Sequence, residues 1–419
     1  MTPVPAEQSV AGYRVAVVCI GIAFTLTGLY TGSELAIALG LPTGIRAVVL
    51  GSVVLTVMSV PAAMIGARTR LSTYMIVSHV YGRTGSRIVN LVLACVLLGW
   101  YAVTAALFGR TCYLTVGAHL PFDLPQWFYT VSCSALVVAT TVFGFRAIER
   151  LSLAVAPLLV ALTAYVAWRA VQHTPWATLL AIPGTKVDLA TGVSAVIGGM
   201  IVNVVLMPDI TRYSRSTFDC ALISVTGNGI GAGSALLLAM LPALAFGELD
   251  PMKYMAVLGL VGIAFATLVV STWTINAVNL YSTGLVASTA LRSMSYGRIV
   301  VLCGVVGTGL AVSGIADQLI DFLVLLGLIV PPIAAVYLTD FFVLGRRAYA
   351  GDATAKVPAT SINALTAAVS GGLAGIVMYD TGSSLTGVPS IESFVVASLL
   401  YALAERARAY GGRDRHWRR

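Results

Sequence analysis

Charged side chains are scarce in this chain of 419 residues. Asp, Glu, Lys and Arg make up 10% of it, whereas 58% is hydrophobic, and the mean hydropathy is +0.91. Soluble domains carry about 25% charged and about 45–50% apolar residues, and so few charges do not cover a surface that faces water. The scarcity excludes a soluble enzyme, a disordered protein and a secreted disulfide scaffold, and it is typical of a protein whose solvent is lipid.

Cysteine and histidine are too few and too scattered for several kinds of site. The six cysteines include no CxxC pair and the four histidines stand singly, so the spacing disfavours a zinc site or a disulfide framework. An enzyme within the membrane needs clustered acids, histidines or a nucleophile beside a base, and the sequence suggests none. No ring of like residues or repeated pore segment indicates a channel. The first 13 residues lack Lys, Arg and a cleavage pattern, so we expect no signal peptide there.

Long apolar runs fill most of the chain. A helix crosses the hydrocarbon core of a bilayer with about 20 apolar residues, and short connections are the norm between bundled helices. The sequence therefore predicts an all-α polytopic membrane protein of about twelve transmembrane helices with no additional soluble domain. The predicted spans are 14–39, 44–66, 87–116, 124–145, 148–168, 189–207, 218–246, 255–290, 297–316, 319–344, 359–379 and 388–405.

The basic residues mark one side of the membrane. They form no single basic patch, which argues against a nucleic-acid partner, and 20 of the 25 fall in the tails or in alternate connections. Because loops rich in Lys and Arg stay in the cytoplasm, we expect cytoplasmic termini, an even number of spans and a multi-pass protein of the plasma membrane. The 20 residues are Arg14, Arg68, Arg70, Arg83, Arg87, Arg146, Arg150, Arg212, Arg215, Arg292, Arg298, Arg346, Arg347, Lys356, Arg406, Arg408, Arg413, Arg415, Arg418 and Arg419.

Two predicted spans contain residues that interrupt helices. The first includes Gly21-Ile-Ala-Phe-Thr-Leu-Thr-Gly28, and the sixth includes Gly198-Gly199 and then Pro208-Asp209. Irregular backbone at membrane depth is tolerated where it lines a cavity or is buried in protein. Because spans 1 and 6 are five apart, matched interruptions predict two five-helix repeats of inverted topology around a transport site. Close helix packing by glycine is the alternative interpretation.

The middle of the predicted bundle contains polar side chains but almost no charge. Glu34, in the second half of span 1, is the one carboxylate that does not fall near an interface. A neutral polar pocket suits a neutral planar ligand, although freed helix ends would also serve a zwitterion such as an amino acid. The polar residues concerned are Thr25, Thr27, Trp100, Thr104, Asn203, Ser271, Thr274, Asn276 and Asn279.

Span 8 and span 3 supply candidate binding groups. Ser271 and Thr274 lie one turn apart on one helical face, so a carbonyl and a hydroxyl there can point at a hard cation. Asn276 points elsewhere and offers a ligand both a donor and an acceptor, and the indole of Trp100 has a flat face for ring stacking. The alternatives are that the hydroxyls bond to their own helix and that the amide and indole pack neighbouring helices.

Five stretches of sequence, in order along the chain, form one composite pattern. They are Arg68-Thr-Arg-Leu71-Ser-Thr73 through Tyr81-Gly82-Arg-Thr-Gly85; Gly99-Trp-Tyr; Gly198-Gly199 followed by Pro208-Asp209-Ile-Thr-Arg212-Tyr-Ser-Arg215; Trp273-Thr-Ile-Asn276 through Leu280-Tyr281 and Gly284-Leu285; and Pro331-Pro332 with Asp340. With this order and spacing, residues 14–405 resemble the nucleobase:cation symporter-1 family, most closely its bacterial cytosine permease branch.

The resemblance implies a fold and an activity. The fold is the leucine-transporter-like 5+5 inverted repeat plus two helices, and the activity is import of a nucleobase, cytosine or a purine-like ring, in symport with Na⁺ or H⁺, without a cofactor. A carrier of amino acids, amines, or hydantoin-like or vitamin-like rings on the same fold is the alternative. The sequence leaves the oligomeric state open, and a monomer is compatible with it. The expected organisation is a cytoplasmic tail 1–13, repeats 14–168 and 189–344, two further helices 359–405 and a basic tail 406–419.

The resemblance also assigns substrate contacts. It implies that Trp100 stacks on one face of the ring and that the backbone around Gly199 and Asn203 meets its polar edge. It further implies that Asn276 hydrogen-bonds the ring and that Thr25, in the interruption of span 1, lines the same pocket.

The family's sodium site falls on two segments of this chain. The resemblance places it at the backbone carbonyls of Gly21, Phe24 and Ser271 and at the hydroxyl of Thr274. Sodium is thus expected to be held between span 1 and span 8.

Two residues depart from the family pattern. Met200 stands where related permeases carry an aromatic ring, and because methionine is flexible and polarisable, the ligand is open to differ from cytosine. Ile275 stands where a second hydroxyl ligand of sodium is expected. We therefore hypothesise weakened sodium dependence with proton coupling, for which Glu34 is the candidate carboxylate.

Overall fold

Helices account for almost all of the secondary structure. The computed structural model describes residues 10–143, 146–185, 187–290, 293–345 and 359–416. Within these ranges the only β-type pairings are two isolated bridges, Val10 with Ser214 and Gly40 with Pro183. The predicted all-α class is confirmed.

Seventeen α-helices follow one another in the described part of the chain. They are α1 (Gly12–Ala23), α2 (Leu26–Thr69), α3 (Thr73–Thr115), α4 (Gln126–Phe143), α5 (Arg146–His173), α6 (Trp176–Ala181), α7 (Leu189–Val205), α8 (Met207–Thr211), α9 (Thr217–Ser224), α10 (Ala232–Phe246), α11 (Pro251–Val257), α12 (Val261–Ala290), α13 (Tyr296–Val312), α14 (Leu319–Ile329), α15 (Pro331–Leu338), α16 (Ile362–Thr381) and α17 (Pro389–His416). Segments Val225–Gly231 and Thr339–Val343 are π-helical, and Gly117–His119 and Ile315–Gln318 are 3₁₀ turns.

Seven helical segments among the described residues are long and apolar enough to cross a membrane. They are Leu26–Thr69, Thr73–Thr115, Val155–His173, Thr217–Phe246, Val261–Ser288, Ile315–Val343 and Ile362–Thr381. Two shorter apolar helices, α7 and α13, accompany them. The chain is therefore a polytopic helical membrane protein, while the count of twelve spans stays a prediction.

The predicted interruption of span 1 is present between α1 and α2. Phe24 (φ −88°, ψ 87°) and Thr25 (φ −132°, ψ 163°) leave the helical conformation. The Thr25 hydroxyl accepts a hydrogen bond of 3.1 Å from the Gly28 amide and so caps the start of α2. Backbone groups at both helix ends lack intrahelical partners here, so polar groups of the main chain are concentrated at this break.

The interruption of span 6 lies next to Pro208 and not at the pair Gly198-Gly199. Helix α7 continues through Gly198 and Gly199 and ends at Val205, and α8 starts at Met207 with Pro208 in its first turn. Gly198 instead allows close packing, because a Cβ there would collide with the carbonyl of Leu323 in α14. The glycine pair therefore does not break the helix, and the break falls at Leu206 (φ −89°, ψ 4°).

Helix α2 bends where the chain between α6 and α7 crosses it. Gly40 has φ 69°, a left-handed value that glycine adopts without strain. A Cβ at Gly40 would also lie 2.8 Å from the Ile182 carbonyl oxygen. The bend separates the segments predicted as spans 1 and 2, and it fixes the first half of α2 beside the start of α7.

Four helix pairs frame the interior of the bundle. Helix α2 packs against α10 and α7, α12 packs against α3, and α14 packs against α7. Helices α16 and α17 pack on each other and on α15, on one side of this group. The helix break between α1 and α2 thus faces a space bounded by α3, α7, α10 and α12.

Candidate substrate and cation site

A cavity of about 120 Å³ lies beside the break between α1 and α2. Its walls come from five parts of the fold, namely the break with the start of α2, and helices α3, α7, α10 and α12. The lining residues are Thr25, Thr27, Gly28, Thr31, Leu97, Trp100, Thr104, Ala195, Val196, Gly199, Met200, Val202, Asn203, Leu236, Ile275 and Asn279.

Five of the six predicted substrate residues meet at this cavity. Thr25 comes from the break, Trp100 from α3, and Gly199, Met200 and Asn203 from α7. All five are half-buried, so each keeps part of its surface open to the cavity. Residues up to 178 positions apart in the sequence are thereby brought to one place.

The indole of Trp100 packs against one aromatic ring. Its ring meets Phe322 of α14 edge to face, with ring centroids 5.5 Å apart and an interplanar angle of 79°. Its carbonyl accepts a 2.7 Å hydrogen bond from the Thr104 hydroxyl one turn further along α3. An indole held in this way offers the cavity a fixed aromatic surface.

Threonine hydroxyls connect α2 and α3 along one wall. The Thr31 hydroxyl donates to the Thr27 carbonyl at 2.8 Å, and the hydroxyls of Thr27 and Thr104 lie 3.4 Å apart. Both Thr27 and Thr104 are almost completely buried. This wall is polar and neutral, and its hydroxyls retain acceptor capacity for a ligand.

The two glycines of α7 have different surroundings. A Cβ added at Gly199 would meet no atom within 4 Å, whereas one at Gly198 would strike α14. Gly199 therefore leaves the helix backbone open towards the cavity. Only Gly199 of the pair lines the cavity, and the approach of a ligand to the α7 backbone stays a prediction.

Met200 and Asn203 form a pair on α7. The Asn203 side-chain amide donates to the Met200 sulfur at 3.5 Å, within the range of such contacts to sulfur. The sulfur is a weak acceptor, so the pair leaves the Asn203 oxygen and one N–H for other partners. Met200 replaces the expected aromatic wall with a flexible thioether.

Asn276 lies outside the cavity lining. It is fully buried, and neither side-chain amide atom has a hydrogen-bond partner among the described residues. Its predicted contact with the ring stays a prediction. The cavity is lined from α12 by Ile275 and Asn279 instead. The sequence named Asn279 among the polar central residues but not as a binding residue, because the rotation of α12 towards the cavity is a tertiary property that no local pattern marks.

No ionisable side chain is among the residues that line the cavity, and the nearby charged side chains lie outside it. Glu34, on α2, is half-buried and within electrostatic reach of Arg110 and Asp317. Arg110 makes a 2.8 Å ion pair with the buried Asp250 and donates to the Tyr30 hydroxyl at 3.3 Å. Because Asp250 lies in the connection before α11, this ion pair links α3 to that connection.

The predicted cation ligands stand on separate elements. Gly21 lies in the last turn of α1 and Phe24 follows that helix, where carbonyls lack intrahelical partners. Ser271 and Thr274 are buried on α12, and the Thr274 hydroxyl donates to the Val270 carbonyl at 2.9 Å, which leaves its lone pairs available. The main neighbours of α1 are α5, α9, α10 and segment 225–231, so α12 is not packed extensively against it.

Comparison of the sequence with known families gives one match over nearly the whole chain. Residues 3–401 match the family described as "Permease for cytosine/purines, uracil, thiamine, allantoin". The chain is 27% identical over 404 residues to the cytosine permease of Escherichia coli O157:H7 and 26% identical to that of E. coli strain K12. Each of these alignments covers 96% of this chain and 92% of the relative.

Comparison with solved structures gives the same architecture. The structure described as the inward-facing conformation of Mhp1 superposes with a TM-score of 0.84 at 16% identity, covering 98% of this chain and 93% of that one. Mhp1 in a closed conformation with bromovinylhydantoin bound, described as a nucleobase-cation-symport-1 family transporter, gives 0.78 at 17% identity and covers 98% and 95%. A Na⁺-coupled sialic acid symporter gives 0.63 at 12% identity, with 95% and 90% covered.

Proposed function

The chain belongs to the family of permeases for cytosine/purines, uracil, thiamine and allantoin, and we propose that it imports a nucleobase or a related small neutral ring in symport with a cation. It is a membrane transporter rather than an enzyme. The proposal concerns the identity of the ring, its coupling to a cation and its transport into the cell.

One observation carries the proposal of a neutral ring. The cavity beside the helix break is lined by threonine hydroxyls, asparagine amides and the indole of Trp100, with no ionisable side chain among its lining residues. Burying an unpaired ionic group is costly, which disfavours a ligand of net charge. Hydroxyls and amides meet the polar edges of a ring, and the indole meets its face.

We propose alternating access as the mechanism. The ring binds where α1 and α2 are separated by the non-helical residues Phe24 and Thr25, and one group of helices then moves relative to the other. A cation bound between the end of α1 and α12 would draw these elements together. Ring and cation binding would then strengthen each other to the same degree.

The coupling ion of the proposed symport is either sodium or a proton. Sodium would use the carbonyls of Gly21, Phe24 and Ser271 and the hydroxyl of Thr274. Ile275 lines the cavity and supplies no oxygen, which supports a weakened sodium requirement. Glu34, beyond the cavity and near Arg110, is the candidate proton carrier.

The direction of insertion is also proposed. Cytoplasmic termini and a plasma-membrane location are supported by the 20 Lys and Arg residues in the tails and alternate connections.

A ligand panel tests this function. The purified protein is heated with cytosine, uracil, adenine, hydantoin or an amino acid, each with NaCl or with choline chloride. A ligand that binds the folded state raises its melting temperature, and we expect a rise with at least one ring and none with amino acids. A rise with amino acids alone would contradict the proposal.

A further inference from the structure

The rotation of α12 decides which of its amides faces the cavity. Successive residues of an α-helix are about 100° apart around the axis, so Ile275 and Asn279 share a face whereas Asn276 is turned away from Ile275. The structure agrees, since Ile275 and Asn279 line the cavity and Asn276 is fully buried outside the lining. Asn279 is half-buried, with surface open to the cavity.

The second amide of the cavity stands on another helix. Asn203 projects from α7, and α7 and α12 are not main packing neighbours, because the cavity lies between them. The contact between the Asn203 amide and the Met200 sulfur, 3.5 Å, occupies one N–H. The Asn203 oxygen and its second N–H remain, so each wall offers one acceptor and at least one donor.

We propose that Asn279 contacts the transported ring and, together with Asn203, selects a planar ring that has hydrogen-bonding edges on two sides. This rests on the proposed function and adds the residue pair that determines specificity. A ring whose face lies on Trp100 extends its edges sideways, and an amide on each of two helices can pair with a donor–acceptor edge on each side. A ring with a single such edge leaves one amide unpaired in a largely buried site, which is costly.

Two-edged rings and a one-edged ring make the test specific. The two-edged probes are cytosine, uracil and hydantoin, and the one-edged probe is 2-pyridone, which has one lactam edge. We expect the wild-type protein to bind the best two-edged ring at least about tenfold more tightly than 2-pyridone, the size expected when one buried polar group loses its partner.

The variant Asn279→Leu has nearly the same size and no amide. It should lower the affinity for the best two-edged ring about tenfold and reduce its preference over 2-pyridone. The matched control is Thr283→Val, one turn further along α12, where the buried hydroxyl bonds to the Asn279 carbonyl and lies outside the cavity lining. It should keep both affinities.

The preference is a ratio measured in one sample, so it does not depend on the folded fraction. Asn279→Ala, which also lacks the amide, supplies a second variant if the leucine variant is poorly produced. An unchanged ratio in either variant would overturn the role of Asn279. If the wild-type protein binds no ring at all, the proposed function itself fails, and the two failures are therefore distinguishable.

Discussion

Trp100 of α3 and Phe322 of α14 are in edge-to-face contact, with ring centroids 5.5 Å apart. Gly99, the residue before Trp100, leaves room for this contact because it has no side chain. A Cβ at Gly99 would lie 2.7 Å from the Phe322 ring. Phe322 is not among the cavity-lining residues. The ring of Phe322 therefore fixes the indole from behind, while the indole faces the space where the ligand is proposed to bind.

Replacing Phe322 should weaken ligand binding indirectly, through the position of the Trp100 indole. Phe322→Leu keeps most of the apolar volume but loses the aromatic edge, a contact worth about 0.5–1.5 kcal/mol. We expect a two- to tenfold loss of ring affinity, measured by calorimetry on the purified protein. Phe128→Leu, at an exposed ring of α4, is the control and should have no effect. Equal affinities in all three proteins would show that Phe322 does not position the indole.

Trp100 itself should determine affinity rather than insertion. Trp100→Ala removes the stacking surface, and a loss of at least about tenfold in ring affinity is expected from the value of base–aromatic stacking. Trp100→Phe keeps a smaller aromatic face and should retain part of the affinity. Both variants should reach the membrane in normal amounts, as checked by immunoblotting of membrane fractions. Wild-type affinity in the alanine variant would refute the stacking role.

Alanine substitution at the neighbouring residues Gly198 and Gly199 should affect the melting temperature differently. Gly198→Ala drives a methyl group into the Leu323 carbonyl, and overpacking of this kind costs about 1–3 kcal/mol. Gly199→Ala meets no atom within 4 Å and should leave the melting temperature unchanged. We expect the first variant to melt several degrees lower and the second to change ligand affinity alone. Equal melting temperatures would contradict the packing assigned to Gly198.

The ion pair between Arg110 and Asp250 predicts a pH-dependent stability effect. Burial raises the pKa of Asp250 above its ordinary value, and the Met252 amide and Arg110 offset part of that rise. Arg110→Gln removes the ion-pair partner of the buried carboxylate. The loss should be smaller than the about 3–5 kcal/mol of a fully buried pair, because the Arg110 side chain is 28% exposed and Lys253 also acts on Asp250. The pKa of Asp250 should rise further in the variant.

The sign of this effect follows from proton linkage. Because the raised pKa favours the protonated acid in the folded state, the variant should approach wild-type stability at low pH and lose stability as the pH rises through that pKa. Melting temperatures at pH 4.5 and pH 7.5 measure it, and we expect the larger difference at pH 7.5. Asp250→Asn should abolish this dependence in the Arg110→Gln background, and a larger difference at pH 4.5 would contradict the account.

Local features of the fold were predictable from the sequence. Scarce charge and long apolar runs indicated a membrane bundle, and the stretch from Gly21 to Gly28 indicated the first break. The second break lies next to Pro208, one of the two interruptions that the sequence indicated, but Gly198 and Gly199 do not break the helix. Glycine both interrupts helices and permits close packing, so its role could not be decided from the sequence. Only the position of the Leu323 carbonyl shows that Gly198 permits close packing.

Features that depend on helix rotation or on distant partners were not predictable. Asn276 and Asn279 are both amides on one helix, and the choice between them depends on how α12 is turned towards α7 and α2. The Arg110–Asp250 ion pair joins residues 140 positions apart, and no local pattern marks it. The predicted cation ligands depend likewise on how α1 meets α12, which is a tertiary relation.

Uptake into proteoliposomes tests the central claim most directly. Purified protein is reconstituted, and accumulation of radiolabelled cytosine, uracil, hydantoin or a mixture of amino acids is followed under an inward Na⁺ gradient, an inward H⁺ gradient or neither, with Trp100→Ala as control. We predict saturable accumulation above the equilibrium level for at least one ring under one gradient, and slower accumulation in the variant at ring concentrations below saturation. Ring–cation symport would be contradicted if the rings only reached equilibrium under every gradient. It would also be contradicted if amino acids accumulated and the rings did not.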